Sequence, residues 1–143
     1  MKAFFDTSSI FKLYHKEEGT QALLQIIDSG KVESIFISEL TKLEFSSTIW
    51  KKIRTKEIDE STGTKIISLF SEDLSKFDII PIDKEIIQNA GQLLNLYGLS
   101  GLRTLDSIQL STALFLKNKV NLFLTSDNLL NSFFTKEELN SVI

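Results

Sequence analysis

Short apolar runs alternate along this chain with longer stretches of helical period. The runs "KAFF" (2–5), "SIFI" (34–37), "DIIP" (78–81) and "NLFLT" (121–125) predict β-strands, because each is brief and dominated by aromatic, β-branched or aliphatic side chains. Helical patterning covers 20–28, 38 to 52 or beyond, 59–77 despite Gly63, 83–97 and 102–117. "DTSS" after the first run reads as a cap opening a helix, and "SDNLLNSFF" opens a short one with Asp127 near its start. Ser38 reads as an N-cap, with Thr41 standing where a capping box would carry an acid. The tail "NSVI" is read as a short closing strand. This alternation predicts an α/β fold: a three-layer α/β/α sandwich around a mainly parallel sheet of four or five strands, one domain over residues 1–143.

The segment "LRTLDSIQLSTALFLK" (102–117) breaks its own pattern. On a helix its leucines, Ile108, Ala113 and Phe115 cover most of the circumference, and the widest polar gap holds only Ser107 and Ser111. A helix apolar nearly all round is expected to be buried, yet Asp106 falls between Ala113 and Leu102 on one side and Leu110 on the other. A charged carboxylate there needs compensation by a proton, a basic side chain or a metal ion.

Composition narrows the field. At 143 residues, 42% hydrophobic and 24% charged, the chain has the make-up of one folded domain. With no cysteine it has neither disulfides nor thiolate metal sites. Its lone histidine, His15, excludes two-histidine acid–base hydrolysis and a histidine-rich zinc site, and reads as a surface residue near a helix end. "MKAFFDTSSIF" lacks a signal-peptide core and no run reaches the length of a membrane span, so a cytoplasmic protein without membrane contact is expected. The net charge of −3 does not advertise a nucleic-acid binder. Carboxylates gathered round metal ions would lower that formal charge while the ions restore positive charge locally.

Four acids stand where such a fold can gather them. Functional groups in parallel α/β sheets collect at the carboxyl ends of strands. Asp6 directly follows the first predicted strand, and Asp127 follows the fourth by two residues. Glu44 lies one and a half turns into the helix after the second strand, and Asp106 near the start of the helix before the fourth. Separations of 38, 62 and 21 residues exclude a local motif, so only the fold can unite them. Each has a plainer role open: helix caps for Asp6 and Asp127, a solvated stripe with Ser47, Thr48 and Lys51 for Glu44, and a favourable helix-dipole contact for Asp106. No P-loop or dinucleotide glycine pattern is present, and "DTS" has Ser8 where a D-x-D phosphatase carries its second acid. The serines have no partnering His or convincing Lys, so no nucleophilic triad is on offer.

Taken in order, these segments resemble the PIN domain of VapC-type toxins, which belong to type II toxin–antitoxin pairs. "FFDTSSIFKLY" is similar to the family's opening strand and first acid, and "ISELTKLEFSS" to the block that places the second at Glu44. "AGQLLNLYGLSGLRTLDSIQLSTAL" resembles the third block, around Asp106, and "LFLTSDNLL" the fourth, with Thr125 and Asp127. Ser107 and Ser111 depart from the small alanines common there, and Gln109 from a frequent histidine. The resemblance implies an endoribonuclease dependent on Mg²⁺ or Mn²⁺, with Asp6, Glu44, Asp106 and Asp127 as its catalytic, metal-binding acids. Thr7, Ser8 and Thr125 would be the hydroxyls that orient them. It further implies metal-activated water as nucleophile, an RNA substrate, a cognate antitoxin, a homodimer, and no direct DNA binding without the antitoxin.

"WKKIRTK" (50–56) sets Lys51, Lys52, Arg54 and Lys56 beside Trp50 as a candidate phosphate-contacting patch. The plainer reading buries Trp50 and Ile53 and leaves the bases in solvent. Two other functions compete with a toxin nuclease: a catalytically silent PIN fold that binds RNA or protein, and a phospho-acceptor receiver domain. The receiver needs paired acids after the first strand and a late lysine, and neither is evident.

Overall fold

Aromatic and β-branched runs, each followed by a capping residue, determine where strands give way to helices. In the computed structural model, which describes residues 1–142, Lys2–Phe5 (β1) leads through Thr7–Tyr14 (α1) and Thr20–Asp28 (α2) to Ser34–Ser38 (β2). Leu40–Arg54 (α3), Glu60–Asp73 (α4), Asp78–Ile80 (β3) and Lys84–Tyr97 (α5) follow. Thr104–Phe115 (α6), Leu122–Leu124 (β4), Asn128–Lys136 (α7) and Ser141–Val142 (β5) complete the order. Asp6, Asp59, Asp83 and Asp127 cap α1, α4, α5 and α7, each accepting from the backbone N–H three residues on. The helix expected over 59–77 ends at Asp73 and continues only as a 3-10 turn, Leu74–Lys76. Ser38 belongs to β2, although its hydroxyl still accepts from Leu40 N at 3.1 Å. The closing strand forms at Ser141–Val142, and Ile143 of "NSVI" lies outside the described residues.

All five strands are parallel, in the order β3–β2–β1–β4–β5. Helices therefore cover both faces, and side-chain alternation along the strands divides the core in two. Ala3, Phe5, Ile37 and Leu124 point into the layer of α1 to α4, against Ile10, Phe11, Phe45, Ile49 and Phe70. Phe4 and Phe123 point the other way, against Leu93, Leu110, Leu130, Phe133 and Phe134 from α5 to α7. The three-layer α/β/α sandwich read from the sequence is the one that forms. In the first layer Phe45 stacks on Phe70 at a centroid separation of 4.0 Å. There α4 comes so near α3 that a Cβ on Gly63 would lie 2.6 Å from Ile53 Cδ1. Among the described residues no helix is long and apolar enough to cross a membrane.

The helix carrying Asp106 is buried on a face its hydropathy does not predict. Ser107 and Ser111, the expected polar gap, are each 1% exposed, while Leu105 is 50% and Phe115 39% exposed. Small side chains suit the contact between α6 and α5, and local acceptors satisfy the hydroxyls. Ser111 Oγ donates to Ile86 O at 2.8 Å, and Ser107 Oγ to Thr104 O at 2.6 Å. The sheet order also locates a site. From β1 the chain builds β2 and β3 to one side, then crosses to place β4 and β5 on the other. The crevice at the carboxyl ends of β1 and β4 is thus the switch point of the sheet, where α/β folds bind ligands.

Candidate functional site

Asp6 closes the carboxyl end of β1, and three demands meet on it. Its N–H extends the sheet by donating to Leu124 O (3.1 Å), and its carboxylate caps α1 through Ser9 N (2.9 Å). Hydroxyls take up its other lone pairs: Thr125, just past β4, donates to Oδ2 at 2.6 Å, and Ser8 donates at 2.8 Å to Oδ1. Ser126 N in turn donates to Ser8 Oγ at 2.9 Å, which fixes that hydroxyl. Asp6 is only 4% exposed. Burial pushes its carboxyl up to about 6, against the downward pull of Thr125, Ser9 and Ser8.

Glu44, on the second turn of α3, faces α1 and α6; of the neighbours expected to share a solvated stripe with it, Ser47 and Lys51 are exposed while Thr48 lines the same cleft as Glu44. The Thr7 hydroxyl donates to its Oε1 at 2.8 Å, and Gln109 Nε2 donates to the same oxygen at 2.8 Å. The Thr7 and Thr41 hydroxyls lie 3.1 Å apart beneath it. The half-buried Asp106 is in the first turn of α6. Burial raises its carboxyl above the usual range; the charges of Asp127 and Glu44 raise it further, and Arg103 pulls it down. Asp127 caps α7 through Leu130 N at 2.8 Å.

All four acids line one open cleft of about 320 Å³, together with Thr7 and Ser8. The capping role and the cleft role therefore coincide for Asp6 and Asp127. Asp6 and Asp127 cap helices and Asp106 lies in a first turn, so the positive ends of α1, α7 and α6 offset part of the gathered charge. Among the described residues no group of three such side chains is already set to hold a metal ion. The donor set nonetheless suits a hard divalent cation: its ligand atoms are oxygens, chiefly carboxylates and hydroxyls with no imidazole or thiolate, and a cation would relieve the mutual repulsion at Asp106.

Of Lys51, Lys52 and Arg54, only Lys52 lines this cleft. Its Nζ pairs with Glu57 at 2.9 Å and stands 5.4 Å from the Phe11 ring centroid. Trp50 is 40% exposed, against the expectation that it is buried, while Ile53 does pack on the core. A neighbouring depression of about 510 Å³ shares Glu44 and Asp106 and adds Arg103. The sequence alone assigns Arg103 and Thr41 no role at the site, and marks Gln109 only as standing where the resembled family often has a histidine, with its packing or substrate contact open. A signal existed for Thr41 and Gln109: Thr41 precedes Glu44, and Gln109 follows Asp106, by three residues, one turn along the same helix face.

The sequence profile of the PIN domain family matches residues 3–133. No curated protein matches the chain significantly. Among solved structures, a toxin–antitoxin complex from Klebsiella pneumoniae is similar with a TM-score of 0.67 at 20% identity, over 99% of this chain and 96% of that one. VapBC2 from Rickettsia felis, bound to a DNA fragment from its promoter, gives 0.66 at 16% identity over 99% and 98%. Mycobacterium tuberculosis VapC20, a toxin that cleaves the sarcin–ricin loop, gives 0.68 at 13% identity over 92% and 94%. At these identities the likeness is one of fold.

Proposed function

We propose that this chain, which belongs to the PIN domain family, is a divalent-metal-dependent endoribonuclease and the toxin of a toxin–antitoxin pair. The observation that carries this reading is the convergence of Asp6, Glu44, Asp106 and Asp127, from four separate parts of the fold, on one cleft at the switch point of the sheet. Its solved neighbours, toxin–antitoxin complexes and a toxin that cleaves RNA, support it. On this reading the partners are RNA, a cognate antitoxin and a second copy of the chain.

Asp6, Glu44, Asp106 and Asp127 would hold a Mg²⁺ or Mn²⁺ ion, whose chemistry there would be activation of water and stabilisation of the leaving oxygen. The protein's own part is orientation. Ser8, Ser9 and Thr125 hold the Asp6 carboxylate in one pose, and Thr7 and Gln109 do the same for Glu44. Lys52, which lines the cleft, and Arg103, in the adjoining depression that shares Glu44 and Asp106, offer an RNA backbone cations near the acids. His15 ends α1 outside the cleft, so no imidazole pair serves attack by the RNA 2′-hydroxyl. Water attack leaves a 5′-phosphate and a 3′-hydroxyl.

The test is cleavage of RNA by the purified chain with and without Mg²⁺, followed by sequencing of the new ends. The expected result is 5′-phosphate ends that vanish with chelator and with Asp106→Asn. A 2′,3′-cyclic phosphate, or undiminished cleavage in chelator, overturns the reading. RNA binding with no metal-dependent cleavage points instead to a silent binding module.

A further inference from the structure

Glu44 differs from Asp6 and Asp127 in how it is held. Those two caps accept from backbone N–H groups, so the start of a helix orients them. Glu44 is held by side chains alone, on a longer arm whose torsions the helix does not set. Both of its donors, Thr7 Oγ1 and Gln109 Nε2, bind Oε1 at 2.8 Å.

Gln109 is an expensive way to make that contact. It is 3% exposed, in the middle of α6, and its Oε1 is buried with no partner. A buried amide is unfavourable wherever its hydrogen bonds go unmade, and a leucine would fill the space without that cost. The unsatisfied oxygen comes with an N–H aimed at Glu44, 3.1 Å from Thr7 Oγ1 and 3.2 Å from Thr41 Oγ1. A lysine or arginine there would form an ion pair with Glu44 and compete with an incoming cation, whereas an amide orients the carboxylate without neutralising it. Gln109 also follows Asp106 by one turn, so the hydrogen bond ties the position of Glu44 to that of Asp106 through one rigid helix.

We infer that Gln109 is the positioning residue for Glu44: its amide fixes Oε1 and leaves Oε2 turned to the cleft, for a divalent cation. This inference rests on the metal-dependent reading above. The experiment is Mn²⁺ binding to the RNA-free protein by titration calorimetry, with melting temperature measured alongside. Gln109→Leu is expected to weaken Mn²⁺ binding by about 10- to 100-fold, the usual effect of removing an outer hydrogen bond to a metal ligand, with the melting temperature held or raised. Gln109→His, which keeps an N–H donor, restores most of the affinity. In a Glu44→Gln background, Gln109→Leu has no further effect, because the group it positions is gone. Unchanged Mn²⁺ binding in Gln109→Leu, or an equal loss in both backgrounds, overturns the inference and leaves the proposed activity standing. If Gln109→Leu fails to fold, Gln109→Asn, one methylene too short to reach Oε1, carries the same expectation. Wild-type protein that binds no Mn²⁺ overturns both.

Discussion

Thr125 donates its hydroxyl to Asp6 Oδ2 at 2.6 Å, joining residues 119 positions apart at the ends of neighbouring strands. Burial drives the Asp6 carboxyl up, and Thr125 is the strongest influence holding it down. Hydrogen bonds to charged groups are worth about 1.5–3 kcal/mol, and 1.4 kcal/mol corresponds to one pH unit. Thr125→Val should therefore move the acidic limb of the pH–activity curve upward by on the order of one unit. The check is kcat/KM against pH at sub-saturating Mg²⁺, where proton and cation compete for the carboxylate, and an unmoved limb would show that Asp6 ionisation does not control the rate.

Asp6 should also set the pH dependence of stability in the metal-free protein. Its folded carboxyl titrates at about 6 against an ordinary 3.8, so between those values the folded state holds more protons than the unfolded one. Stability from this group is greatest below pH 3.8, falls as pH rises to about 6, and stays low above it. Asn keeps the cap and removes the charge. Asp6→Asn should accordingly stabilise the metal-free protein at pH 7 by up to about 3 kcal/mol, with the advantage gone near pH 3.5. Added Mg²⁺ should raise the melting temperature of the parent and not of the variant. Thermal melts across pH decide it.

Among the bases of α3, Lys52 should be the one that RNA feels. Its partner Glu57 is an exposed surface carboxylate, and such pairs contribute little, so Nζ is free to exchange it for a phosphate. Lys52→Gln should weaken RNA binding and lower the slope of log K against log salt by roughly 0.7, the value for one single-strand phosphate contact. Lys51→Gln and Arg54→Gln, outside the cleft, should leave the slope unchanged. Salt titrations of RNA binding in chelator read this without turnover.

The ring stack under α3 should couple stability to the site. Phe45 is fully buried, stacks on Phe70 and adjoins Glu44 in sequence. Phe45→Ala should destabilise the fold by about 3–5 kcal/mol, measured by urea unfolding. Mn²⁺ affinity should fall as well, because the turn that presents Glu44 loses its anchor.

The layered α/β architecture was legible because parallel strands buried on both faces read as unbroken apolar runs, as "KAFF" and "NLFLT" do. Asp6 and Asp127 were legible as residues at strand ends, whatever else they did. Glu44 was harder: its neighbours along α3 pointed to solvent, and only the packing of α1 and α6 across it turned that turn inward. The buried face of α6 was misjudged for a related reason. Hydropathy rewards large side chains, whereas close contact between helices rewards small ones, so Ser107 and Ser111 went inside and Leu105 stayed out. Trp50 escaped the core because Ile49 and Ile53 already fill the inward side of α3. Gln109 stood out only as a departure from a histidine frequent in the resembled family and by its spacing from Asp106.

The place of β4 beside β1 makes translation a timer. A ribosome adding about 5–20 residues per second needs roughly 6–24 s to pass from Asp6 to Asp127. Through that interval the growing chain has its first acid but no β4 to complete the crevice, and no Thr125 to hold the carboxylate. On the nuclease reading proposed above, the message being translated is spared until nearly all of the fold exists.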